Sequence, residues 1–229
     1  MKLEQIKETI TIVKDYPIKG IVFKDITTLL ENSDAFKSTV DIMIDKVKHL
    51  DFNRVVGVES RGFFWSGPIA YALSKSFVLA RKPGKLPRKA AEKFFSLEYG
   101  TNTVHIHEDA ISKGDKVLVV DDLIATGGTA MATAELCKEL GATEVHIIAL
   151  IDLPKLGGSK MLSKKFGEVI TLIDYWLLLK SEENCKNFKD SPSIFNLPEA
   201  IAWAAFSDLR TIPFQVFEST ETITSKLSS

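Results

Sequence analysis

The chain contains little cysteine, and this scarcity excludes two kinds of site. It has 229 residues and two cysteines, Cys137 in a predicted helix and Cys185 in a polar stretch. Two cysteines without metal-ligand or redox spacing indicate neither a thiolate metal site nor a disulfide framework. Because such usage is typical of a reducing compartment, we expect a cytoplasmic protein.

The sequence also lacks an excess of charge and a long apolar run. Lysine plus arginine number 29 and aspartate plus glutamate 30, which gives a net charge of -1. Bulk charge therefore favours neither nucleic acid nor an anionic membrane surface. No apolar run approaches the roughly 18 residues of a membrane span, and residues 1–14 lack the apolar core of a signal peptide. We expect no nucleic acid and no membrane among the partners.

Residue sets for covalent catalysis are not recognisable either. The four histidines form no catalytic set, and no Ser–His–Asp or Cys–His arrangement is evident. His105 and His107 alternate on a predicted strand, so we interpret both as structural. The glycine spacing matches neither a Walker loop nor the G-x-G-x-x-G of dinucleotide sites.

Short apolar runs alternate with helical periodicity along most of the chain. Leu3, Ile6, Ile10 and Val13 predict an opening helix, and Asn32 is predicted to cap a second one. Further strands are predicted at residues 55–58, 77–80, 117–120 and 145–151, and helices at 62–73 and 129–140. This βαβ pattern predicts an α/β fold whose central, mostly parallel sheet is flanked by helices.

Two segments break this pattern. Residues 82–102 mix two prolines, Gly84, basic residues and two phenylalanines without a clear period, and such a stretch is usually functional or mobile. The composition changes near Trp176, so we expect one domain at residues 1–176 and an extension at 177–229. The extension is expected to be partly docked, because residues 194–217 hold many large apolar side chains.

The most informative segment spans residues 117–129 and reads VLVVDDLIATGGT. Asp121 and Asp122 end a strand, and ligands of open parallel sheets sit beyond the carboxyl ends of the strands. Ionised carboxylates only accept hydrogen bonds, which suits sugar hydroxyls. The following turn presents backbone N–H groups at a helix N-terminus, which suits a phosphate, and consists of Ala125, Thr126, Gly127, Gly128 and Thr129. The segment therefore predicts a site for ribose 5-phosphate.

This segment resembles the phosphoribosyl pyrophosphate motif of the type I phosphoribosyltransferase family. Segments 22–26 (VFKDI), 59–63 (ESRGF), 81–87 (RKPGKLP) and 96–100 (SLEYG) resemble, in the same order, those of family members that use adenine. The resemblance covers about residues 1–176. It implies the family fold, with a small N-terminal hood at about 1–32 and a mobile lid loop at about 82–102.

The resemblance implies a pentosyltransferase of purine salvage. Such an enzyme transfers the phosphoribosyl group of phosphoribosyl pyrophosphate to adenine, giving AMP and pyrophosphate. It implies Mg²⁺ held mainly by substrate oxygens and water, and a homodimer. Two alternatives stay open. One is a phosphoribosyltransferase for another purine base, and the other is a non-catalytic regulator that senses phosphoribosyl pyrophosphate.

Two loops are implied to hold pyrophosphate. The first contains Glu59, Ser60 and Arg61, follows a predicted strand and in the family often includes an unusual cis peptide. Its arginine can make a bidentate contact with a phosphate. The second follows another strand and contributes Arg81, Lys82 and Lys85. The resemblance implies that Arg81 and Lys85 reach the site of a neighbouring subunit.

The base is expected to lie against the hood. Phe23 would stack on adenine while Val22 and nearby backbone groups read its edge, and Ile124 would cover the opposite face. Lys24 stands where the family usually has arginine, so it keeps the charge but loses the planar fork.

The implied catalytic residues are Glu98, Arg61, Lys24 and Tyr99. Glu98 and Tyr99 belong to the lid, and closure would bring Glu98 near adenine to accept or share the purine proton. Phe95 stands where relatives often have tyrosine, so a lid hydroxyl is missing.

Glu98→Gln should lower kcat at least tenfold while the melting temperature changes by no more than about 1 °C. The amide cannot take the purine proton, and general-base contributions are typically 10²–10⁴-fold. Steady-state kinetics and thermal unfolding on the same preparations check this. A lower melting temperature with unchanged turnover per folded molecule would contradict the catalytic role.

Overall fold

A computed structural model of the chain describes residues 1–17, 21–97 and 100–176. The strands, numbered in chain order, are β1 (Thr11–Lys14), β2 (Val22–Asp25), β3 (Arg54–Val58), β4 (Ser76–Ala80), β5 (Ala90–Leu97), β6 (Gly100–His107), β7 (Lys116–Ile124), β8 (Glu144–Asp152) and β9 (Val169–Asp174). Five of them form a central sheet in the order β4-β3-β7-β8-β9, and every neighbouring pair is parallel. The predicted parallel α/β sheet is confirmed.

Helices cover both faces of this sheet. They are α1 (Leu3–Thr9), α2 (Thr27–Glu31), α3 (Ser33–Val47), α4 (Phe63–Ala72), α5 (Gly128–Glu139) and α6 (Gly158–Phe166), with a 3₁₀ turn at Pro154–Leu156. Along β7, Leu118 and Val120 join the apolar cluster on one side, whereas Val117 and Val119 join the cluster on the other. A strand buried on both faces explains the continuous apolar run in its sequence.

The N-terminal hood differs in one element from its prediction. Asn32 caps α3 as expected, since its side chain accepts a hydrogen bond from the Ala35 N–H at 3.0 Å. The opening helix, however, ends at Thr9, and Val13 lies in β1, opposite Phe23 of β2 in an antiparallel pair. The β-branched run TITIV favours the extended chain over a further helical turn.

The segment expected to lack regular structure contains a hairpin. Strands β5 and β6 pair antiparallel from Ala90↔His107 to Leu97↔Gly100. Lys93 fastens the hairpin to α5, with its Nζ 3.3 Å from a Glu135 carboxylate oxygen and 2.5 Å from one of Glu139. Lysine and glutamate on these strands obscured the period-2 pattern. The mobility of the lid stays a prediction.

Two further expectations concern residues outside this description. Glu98 and Tyr99 lie outside the described residues, and so does the extension at 177–229 with its expected docking. In the described part of the chain, every helix is too short or too polar to cross a lipid bilayer.

Candidate active site

The acidic pair and the first basic loop meet at the carboxyl edge of the sheet. Asp121 and Asp122 are both buried, and the Asp122 N–H donates to Asp121 Oδ1 at 2.8 Å. Because β3 and β7 are neighbours, the loop after β3 ends beside them, and Arg61 Nε lies 2.8 Å from Asp122 Oδ2. The structure therefore places a cation directly against the predicted sugar-binding carboxylates.

Arg61 also contacts the hood. Its guanidinium carbon lies 5.3 Å from the centroid of the Phe23 ring, and Tyr16 packs edge-on against that ring at 5.2 Å. Cation–π contacts of this length are attractive and orient both groups. One side chain thus joins the residues predicted for the base, the pyrophosphate and the sugar.

Asp121 is buried at this edge. Burial raises the pKa of Asp121 well above that of an exposed aspartate, and the neighbouring Asp122 carboxylate raises it further. The backbone N–H of Asp122 and the charge of Arg61 act in the opposite direction but do not outweigh burial. Two adjacent carboxylates in one buried site resist being ionised together.

The loop after β7 has the geometry of an anion site. Gly127 has φ 81°, a left-handed conformation that glycine adopts without strain, and α5 begins at the next residue. As the N-cap residue, Gly127 has no side chain to bond the first amides of α5, which leaves them available to an anion. The ring of Phe95 lies over this turn, since a Cβ on Gly128 would be 3.2 Å from Phe95 Cδ2.

The second basic loop is tied to Glu59. Arg81 donates to the Glu59 carboxylate from Nε at 3.1 Å and Nη2 at 3.2 Å, and the Lys82 N–H donates to it at 2.9 Å. Burial raises the pKa of Glu59, but these donors and their charges outweigh it, so the net pKa is lowered. The peptide between Glu59 and Ser60 is cis, as the resemblance led us to expect.

The guanidinium of Arg81 is engaged within its own chain. Besides the Glu59 contacts, its Nη1 donates to the Lys85 carbonyl at 3.0 Å, which shapes residues 81–85 into a turn. The side chain of Lys85 is exposed. The expectation that Arg81 and Lys85 reach a neighbouring subunit stays a prediction.

Lys24 lies against an aromatic residue that the sequence analysis did not single out. Its Nζ is 4.5 Å from the centroid of the buried Tyr175 ring, and the Nζ of Lys7 is 4.6 Å from the same ring. Burial lowers the pKa of Lys24, and the nearby charge of Lys7 lowers it further. The sequence contains a signal for this residue, because Tyr175 directly follows β9 and therefore lies at the carboxyl edge of the sheet.

Four of the expected site residues are Ile124, Val22, Glu98 and Tyr99. Ile124 is 1 % exposed and packs in the core, so its proposed contact with the base needs surface that this arrangement does not expose. Val22 is half-buried in β2 beside Phe23. Glu98 and Tyr99, outside the described residues, are not placed, and the roles of all four stay predictions.

Asp121→Asn should stabilise the chain increasingly as the pH rises from 5 to 8. A raised pKa means that the folded state binds a proton that the unfolded state has released, so stability falls with rising pH from the unfolded toward the folded pKa. Asparagine removes that charge and keeps an oxygen for the Asp122 N–H. Melting temperatures of variant and parent should diverge by a few degrees over this range.

Asp115→Asn is the matched control with the opposite sign. Burial raises the pKa of Asp115, but bonds from Ser112 N–H, Asn53 and Arg54 outweigh it and leave the pKa lowered. Its stabilising effect is complete above the unfolded pKa, so its removal should lower the melting temperature by a constant amount between pH 5 and 8. A pH-independent difference for Asp121→Asn would contradict the assignment of Asp121.

Comparison with known proteins is consistent with this geometry. The model of the phosphoribosyl transferase domain matches residues 26–177. The adenine phosphoribosyltransferase of Vibrio cholerae is 47% identical over 173 residues, which are 76% of this chain and 96% of that protein. That of Shewanella frigidimarina is 48% identical over 173 residues, 76% of this chain and 95% of its own.

Solved structures with a similar fold are also adenine phosphoribosyltransferases. The crystal structure of the enzyme from Thermoanaerobacter pseudethanolicus has a TM-score of 0.73 at 41% identity, covering 76% of this chain and 100% of its own. The Giardia lamblia enzyme complexed with 9-deazaadenine has a TM-score of 0.73 at 32% identity, covering 77% of this chain and 99% of its own. On sequence and fold together, the chain belongs to the adenine phosphoribosyltransferase family.

Proposed function

We propose that this chain transfers the phosphoribosyl group of phosphoribosyl pyrophosphate to adenine, giving AMP and pyrophosphate in purine salvage. The observation that carries the proposal is the contact of Arg61 with both Phe23 and Asp122. It brings together an aromatic face for a base, a cation for a leaving group and carboxylates for sugar hydroxyls. The adenine named in the relatives supports the choice of base.

The reaction is a displacement at the anomeric carbon. A ring nitrogen of adenine forms the new C–N bond, the C–O bond to pyrophosphate breaks with its electron pair, and the purine proton passes to a base, for which we propose Glu98. Asp121 and Asp122 accept hydrogen bonds from the ribose hydroxyls, and the amides of residues 126–129 hold the 5-phosphate. Arg61 stabilises the charge that develops on pyrophosphate.

Mg²⁺ fits the donors at this edge but has no complete cage in them. Among residues 1–17, 21–97 and 100–176, no three His, Cys, Asp or Glu side chains converge as metal ligands. The hard carboxylate oxygens of Asp121 and Asp122 suit Mg²⁺ at the sugar end, with substrate oxygens and water as the other ligands. When bound, the metal neutralises charge on the pyrophosphate.

We also propose a homodimer that uses one face of α4. This helix reads FFWSGPIAYA and is apolar on every side, a pattern typical of a helix buried all round. Yet Tyr71 is 90% exposed, Phe64 43% and Phe77 of the adjoining β4 42%. A contiguous exposed apolar face marks an interaction surface.

The proposed partners include no nucleic acid and no membrane. The cytoplasmic location, which is inferred from cysteine usage, belongs to the same proposal.

Radiolabelled adenine should be converted to AMP with Mg²⁺ at a kcat/KM at least tenfold above that of hypoxanthine or guanine. Gly128→Val should abolish binding of phosphoribosyl pyrophosphate, because the side chain would fill the amide turn and meet Phe95. Faster turnover of another purine would favour the alternative base. Tight binding of phosphoribosyl pyrophosphate without turnover of any base would favour the regulator.

Tyr71→Glu should convert the dimer to a monomer in sedimentation velocity. A carboxylate in an apolar interface is desolvated without a partner and costs several kcal/mol. Ile12→Glu is the matched control, since Ile12 is a similarly exposed apolar residue, 50% exposed, that lies on the hood strand β1 and not on α4. A dimer that survives Tyr71→Glu, or one that dissociates equally in both variants, would contradict this interface.

A further inference from the structure

The turn that opens α6 is in backbone contact with the sugar-phosphate loop. The Gly158 N–H donates to the Ala125 carbonyl at 3.2 Å. A Cβ on Gly158 would overlap the Ala125 carbonyl oxygen and lie 2.6 Å from Gly127 N and 2.7 Å from Thr126 C. Conversely, a Cβ on Gly127 would lie 3.0 Å from Gly158 Cα. The two segments therefore leave no space for even one methyl group between them.

The atoms that a side chain at position 158 would meet are backbone atoms, so the clash could not be relieved by moving a neighbouring side chain. A clash with the end of a flexible side chain is relieved by a rotamer change, whereas the atoms that a Cβ on Gly158 would meet belong to the two successive peptide units that join residues 125–127. These units carry amides that we assign to the 5-phosphate. Any side chain at position 158 must therefore displace the loop itself or push α6 away from it.

The α6 turn is also anchored to the sheet, so it cannot move away freely. Ser159 Oγ donates to Asp152 Oδ2 at 2.6 Å, and Asp152 is the buried last residue of β8. The Leu153 N–H donates to the Ile124 carbonyl at 3.0 Å, and the Tyr175 N–H donates to the Asp152 carbonyl at 3.0 Å. The first of these bonds ties the turn to the end of β8, and the other two join the end of β8 to the ends of β7 and β9.

We propose that Gly158 is a positioning residue for phosphoribosyl pyrophosphate. The Asp152–Ser159 bond holds Gly158 in place, and Gly158 in turn fixes residues 125–127, so that the amides of Thr126 and Gly127 converge on the 5-phosphate. Pre-organised donors bind more tightly because little ordering is left to do on binding. The inference rests on the proposed function, since it takes the loop at 125–129 as the phosphate site.

Gly158→Ala should raise KM for phosphoribosyl pyrophosphate at least tenfold and leave KM for adenine within about twofold. A shift on the order of 1 Å in a binding element can cost about 10²-fold, and Phe23, the ring proposed to stack on the base, is on β2, outside this loop. Calorimetric titration with phosphoribosyl pyrophosphate and Mg²⁺, without base, should show the same loss. A purely structural role would lower the melting temperature without separating the two KM values.

Gly157→Asn is the matched control next in the chain. Gly157 has φ 74°, which asparagine tolerates, and a Cβ there would meet no atom within 4 Å. Both KM values should remain those of the parent.

If Gly158→Ala does not fold, Ser159→Ala tests the positioning role instead, because it removes the hydrogen bond to Asp152 and leaves the contact between Gly158 and the loop intact. We expect it to raise KM for phosphoribosyl pyrophosphate roughly threefold, about 0.7 kcal/mol.

Gly128→Val separates failure of this inference from failure of the proposed function. If Gly128→Val loses phosphoribosyl pyrophosphate while Gly158→Ala and Ser159→Ala bind it like the parent, the positioning role is wrong and the proposed site stands. If Gly128→Val itself binds like the parent, the loop is not the phosphate site and both are overturned. Equal increases in both KM values of Gly158→Ala would also overturn the positioning role.

Discussion

The parallel pairing of β3 with β7 is the constraint on which the site depends. It aligns Gly57 with Val120, so residues 59–61 leave the end of β3 next to Asp121 and Asp122 of β7. Gly62 makes this path possible, because a Cβ there would lie 2.6 Å from the Val58 carbonyl oxygen and 2.7 Å from that of Val120. A larger residue would push residues 59–61 off the sheet edge and separate Arg61 from its partners.

Two ion pairs neutralise carboxylates at this edge of the sheet. Arg61 pairs with Asp122, and Arg81 pairs with Glu59, so each guanidinium neutralises a buried carboxylate. An anionic leaving group that takes Arg61 from Asp122 exchanges one charge-assisted hydrogen bond for another. The cation is already partly dehydrated, so this exchange costs less desolvation than recruiting an arginine from water. Under the proposed function, the Asp122 carboxylate that Arg61 leaves is then free to accept hydrogen bonds from the ribose hydroxyls.

The sequence predicts the parts of this site that are local. The run VLVVDDLIATGGT contains its own strand, acids and turn, and the order of the βαβ units places Arg61 at the same edge. It does not predict contacts between distant turns. Gly158 lies more than thirty positions beyond the loop it touches, and a Gly-Gly pair after a proline has the local signature of an ordinary helix start. The position of Tyr175 after the last strand places it at this sheet edge, but only the folded chain shows its contacts with Lys7 and Lys24 of the hood.

Lys24 illustrates how the hood is joined to the sheet. The resemblance puts arginine at this position, and an arginine stays charged at all accessible pH values. Lys24 instead rests on Tyr175, and burial and Lys7 lower its pKa, so it binds its proton less firmly than an exposed lysine. Since Lys7 of α1 contacts the same ring and donates to the Asp174 carbonyl at 2.7 Å, both hood elements converge on the end of β9. We therefore interpret Lys24 as an anchor that holds the strand carrying Phe23 over the acidic pair, and Arg61 as the cation that meets the leaving group.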